Sequence, residues 1–74
     1  MDYDYSKLMG KIKEKYKTQA AFAKEMGMGE STLNLKLNNK AEWSQNEMKM
    51  AMFYLEVSTD LIEDYFFSHK SLEN

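Results

Sequence analysis

Apolar residues recur at three- and four-residue intervals along this chain and never alternate over a sustained stretch, a pattern that predicts helices throughout. Tyr5, Leu8, Met9, Ile12 and Tyr16 share one face of a first helix that starts at Asp4, an N-cap type of residue. Thr18 is a cap for a second helix of about eight residues, with Phe22, Ala23 and Met26 inward. Gly27 ends it, because glycine enters the left-handed conformation at no steric cost. A third helix, Glu30 to Asn38, turns Leu33 and Leu37 inward.

The polar stretch Asn38 to Glu42 reads as a loop. After it, Ser44 and Glu47 have the spacing of a capping box, with Trp43 and Met48 placed as its hydrophobic staple. The fourth helix runs to Glu56 and is apolar nearly all round, which predicts burial on more than one side. Ser58 caps a fifth helix, whose stripe is Leu61, Ile62, Tyr65 and Phe66. The expectation is one all-α, compact five-helix domain over residues 1–74, with its ordered core at about 4–67 and a frayed tail over 68–74.

Composition removes several function classes. There is no cysteine and a single histidine, His69, so neither a metal site nor a nucleophile–base pair is expected, and no cofactor. No acid, base or nucleophile residues converge, so the chain is not expected to be an enzyme. The longest apolar run, Met50 to Leu55, is far shorter than the roughly 20 residues that span a bilayer. A soluble, cytoplasmic protein without a membrane partner is expected. Net charge is −2, but it is unevenly spread. Residues 1–40 carry eight lysines and five acids, whereas residues 41–74 carry two lysines and seven acids. Every cation is lysine, so the bidentate guanidinium best suited to guanine is absent.

The segment from Thr18 to Leu33 has the spacing of a short helix, a glycine-bearing turn and a second helix, and on spacing alone it fits a helical hairpin equally well. Gln19, Ala23 and Met26-Gly27-Met28-Gly29, followed by Ser31-Thr32-Leu33, resemble the helix-turn-helix of phage lambda repressor and Cro-type regulators. The opening Asp4-Tyr5-Ser6-Lys7-Leu8 and the stretch Thr32 to Asn38 also look like small Cro-like proteins of phages of Gram-positive bacteria.

That resemblance implies a lambda-repressor-like DNA-binding domain that inserts its third helix in the major groove of an operator as a transcription regulator. Gln19 would contact phosphate, and Glu30, Ser31, Asn34 and Leu35 would face base edges. Asn38, Asn39 and Lys40 would hold the backbone, with Lys36 reaching phosphate or laying its stem over the core. The family's large apolar residue in mid-helix three is here Lys36, so Leu37 takes over its packing beside Leu33. So few cations make weak contacts per monomer, and a homodimer on double-stranded DNA is expected, with Phe53, Tyr54, Tyr65, Phe66 and Phe67 as candidate interface. The alternative is an antirepressor or modulator on the same fold that binds a partner repressor protein. Glu30 and Leu35 suit a protein surface as well as a groove, and the acidic half suits a basic partner.

Overall fold

The computed structural model describes residues 2–70. Five α-helices follow one another: α1 Ser6–Tyr16, α2 Gln19–Met26, α3 Glu30–Leu37, α4 Gln45–Tyr54 and α5 Ile62–Phe66, the last entered through a 3-10 turn at Thr59–Leu61. The all-α, five-helix expectation holds, and among the described residues the only extended pairing is an isolated antiparallel bridge between Tyr3 and His69. No helix among them is long and apolar enough to cross a membrane.

Local chemistry sets the helix boundaries. Asp4 accepts from the Ser6 N–H at 2.9 Å, so its carboxylate orders the chain just ahead of α1 and the helix begins two residues later than expected. Thr18 caps α2 as expected, its Oγ1 accepting from the Ala21 N–H at 3.1 Å. At the far end Gly27 adopts φ 76°, the Gly27 N–H donates to Lys24 O and the Met28 N–H donates to Ala23 O. These two bonds form a Schellman turn, which satisfies carbonyls that the helix leaves free. The same turn closes α3 around Asn39 (φ 64°) and α4 around Glu56 (φ 59°). The capping box is present as expected: Ser44 Oγ accepts from the Glu47 N–H at 3.1 Å, and Glu47 Oε1 accepts from the Ser44 N–H at 2.9 Å.

The core gathers one face from each helix. Leu8 and Ile12 of α1, Phe22 of α2, Leu33 of α3, Met52 of α4 with Leu55 at its end, and Phe66 of α5 are fully buried. At one end Tyr5, Trp43 and Phe66 meet edge to face, with the Trp43 and Phe66 centroids 5.0 Å apart. This geometry suits ring quadrupoles. Near the opposite ends of α1 and α4, Tyr16 packs on Phe22 and its hydroxyl reaches Tyr54 O.

Three packing expectations are corrected. Tyr65 and Phe66, proposed for a dimer interface, are buried in the chain's own core, Phe66 at 1% exposure. Leu61 is exposed, because the tighter 3-10 turn rotates it off the stripe that Tyr65 and Phe66 continue. Helix α4, expected to be buried on more than one side, turns Ala51 and Met52 in, while Met50 is exposed and Phe53 stands 76% exposed. Residues 68–70, expected to fray, lie against the start of the chain. Asp4 N–H donates to Ser68 O at 2.7 Å, Lys70 N–H to Asp2 O at 3.4 Å, and the His69 ring stacks on Tyr3 at 5.2 Å. The rest of that tail, 71–74, lies outside the described residues.

Asn39 completes this clasp. Its Oδ1 accepts from the Tyr3 N–H at 2.9 Å and its Nδ2 donates to Tyr3 O at 3.0 Å, so one amide side chain mimics a neighbouring strand. Asn39→Gly keeps the left-handed backbone but deletes both bonds. It is expected to cost about 1–2 kcal/mol and to speed hydrogen exchange at the Tyr3 amide. An unchanged melt and unchanged Tyr3 exchange would show that the clasp carries no stability.

Candidate functional site

The residues expected to face DNA separate into three groups. Glu30, Ser31, Asn34, Leu35, Asn38 and Lys40 are exposed, and Gln19 at the start of α2 is half-buried. Asn38 and Asn34 are tied together, the Asn38 Nδ2 donating to both Asn34 O and Asn34 Oδ1. Leu35 is 46% exposed, an apolar side chain presented to solvent from the middle of α3.

Two others are structural. Lys36, expected either to reach phosphate or to lay its stem over the core, is 8% exposed, and its ammonium donates to Glu42 O at 2.7 Å and pairs with Glu47 at 3.1 Å. It therefore fastens the α3–α4 loop onto the first turn of α4. Burial pushes the Glu47 carboxyl up, but the Ser44 N–H and the Lys36 ammonium outweigh it and hold the group below its ordinary value. Asn39, expected at the DNA backbone, spends its amide on Tyr3. What remains on the outer face of α3 is one carboxylate, small polar groups and a leucine, with Lys40 as the one cation beyond its end. Such a surface offers little to a polyanion.

An aromatic concavity lies elsewhere, at the C-terminal end of α3. It is an open cleft of about 500 Å³, lined by Tyr3, Tyr5, Trp43, Met48, Phe66 and Phe67 and walled by the loop 39–42. The capping box places Trp43 directly before α4, and the clasp places Tyr3 opposite, in edge-to-face contact with Phe67 at 5.9 Å. Trp43 is 7% exposed and its indole N–H has no hydrogen-bond partner among the described residues. A buried donor left so costs about 1–3 kcal/mol. Sequence reasoning missed this cleft, which draws on residues from both ends of the chain. Of the proposed interface aromatics, Phe67 opens onto it, while Phe53 and the half-buried Tyr54 lie at the other end of α4.

Charge differs around these surfaces. Glu42 on the cleft wall and Asp60, Glu63 and Asp64 around α5 are exposed and join no ion pair among the described residues. Lys40 lines the cleft itself, and Lys7, Lys36, Lys49 and Lys70 each lie within three residues of a cleft residue. By contrast, Lys11 and Lys15 on α1 are engaged with Glu14 and Glu56. No cluster of three or more potential metal-ligating side chains occurs among the described residues.

Comparison with known proteins places these features. No curated protein matches the chain. Among solved structures it matches the solution structure of the modulator of repression (MOR) of the temperate bacteriophage TP901-1 from Lactococcus lactis. Identity is 49% over 90% of this chain and 90% of that one, with a TM-score of 0.79. This finding corrects both the resemblance to lambda repressor and Cro-type regulators and the operator-reading function drawn from it. The spacing from Gln19 to Leu37 is that of a helix-turn-helix, but Lys36 and Asn39 are used inside the fold, and spacing alone does not choose a partner. A family model covers residues 1–69, and the chain belongs to that family, described as protein of unknown function (DUF739).

Proposed function

We propose that this protein is a modulator of repression that acts by binding a partner repressor protein, without catalysis. The observation that carries this reading is the 49% identity, over nearly the full length of both chains, to a phage modulator of repression. At that identity and coverage the whole domain is shared, not one motif.

The geometry supports a protein partner over a nucleic acid. Lys36 is locked to Glu42 and Glu47, and the outer face of α3 presents Glu30 and Leu35, a carboxylate and an apolar group that repel or ignore phosphate. The excess of acids over lysines beyond residue 40 suits a basic partner, and a repressor must carry a basic surface to hold its operator.

The test is a gel-shift titration of a repressor on its operator, with this protein added as competitor. The repressor of its own genome is the first choice, and that of phage TP901-1 the second. The expected result is a change in the repressor's apparent operator affinity that grows with added protein, while the protein alone leaves the duplex unshifted. Repressor binding curves that superimpose at every concentration would reject the reading.

A further inference from the structure

We draw no further inference here: the strongest candidate, the open aromatic cleft at the C-terminal end of α3 lined by Tyr3, Trp43, Phe66 and Phe67, carries nothing because nothing in the structure shows what covers it.

Discussion

Phe66→Ala is expected to lower the stability of this domain by about 3–5 kcal/mol, read as a lower melting temperature and denaturation midpoint. Phe66 is 1% exposed and packs against Trp43 and Tyr5, so truncation opens a cavity that α5, only five residues long, is poorly placed to close. A domain of this length has roughly 4–11 kcal/mol in total, so the variant sits near its folding threshold. The loss should be independent of protein concentration. An interface role, as the aromatic pattern first suggested, makes the opposite forecast: an unchanged melt in dilute solution and altered self-association. A melt shifted by less than about 1 kcal/mol would place Phe66 outside the core.

Glu47→Ala is the second large effect, at about 2–4 kcal/mol. One carboxylate does two jobs: it accepts from the Ser44 N–H at the start of α4 and pairs with the Lys36 ammonium at 3.1 Å. Removing it uncaps the helix and strands a cation that is 8% exposed, with only Glu42 O left to accept from it. Lys36→Met should cost less, because it removes the buried charge together with its need for a partner, while Glu47 keeps the Ser44 N–H and some water. Thermal melts of the two variants and their double mutant measure this asymmetry.

Acid gives an independent check on the same pair. The folded protein holds the Glu47 carboxyl below its ordinary value, so its contribution is fully present above the unfolded carboxylate range, about pH 4.3. It is lost as pH falls through the lower folded value. The Glu47→Ala variant should therefore lose less stability than wild type between neutral pH and pH 3. Glu56 is likewise held low by Lys15, but both side chains are substantially exposed and water screens the pair. Equal acid losses in wild type and variant would contradict the assignment to Glu47.

What the sequence reveals, and what it hides, divides by distance along the chain. Thr18 as a cap, Gly27 as a left-handed stop, and the Ser44–Glu47 box act over three or four residues, so a linear pattern contains them whole. The inward residues of α2 and α3 follow from helical period alone, and Phe22, Ala23, Met26, Leu33 and Leu37 are all buried. Lys36 was illegible because its partner, Glu47, lies beyond a loop on another helix. The role of Asn39 depends on Tyr3, 36 residues away. In α5, five residues give too little period to separate Tyr65 and Phe66 from Phe67, and the 3-10 entry shifts the register of Leu61.

The function was obscured for a related reason. Spacing in the Gln19–Leu37 segment reports how two short helices are joined, which many proteins share, and says little about what their outer surfaces touch. The absence of arginine and the acidic second half were the signals that pointed away from an operator. The cleft had no linear signature at all, since Tyr3, Trp43 and Phe67 meet only when the two ends of the chain are clasped.

The most direct test of this account is sedimentation velocity of the protein mixed with the repressor in the absence of DNA. A discrete complex heavier than either component, formed without any duplex, is the predicted result. Two components sedimenting independently, and associating only once operator DNA is added, would contradict the claim that this chain works by grasping another protein.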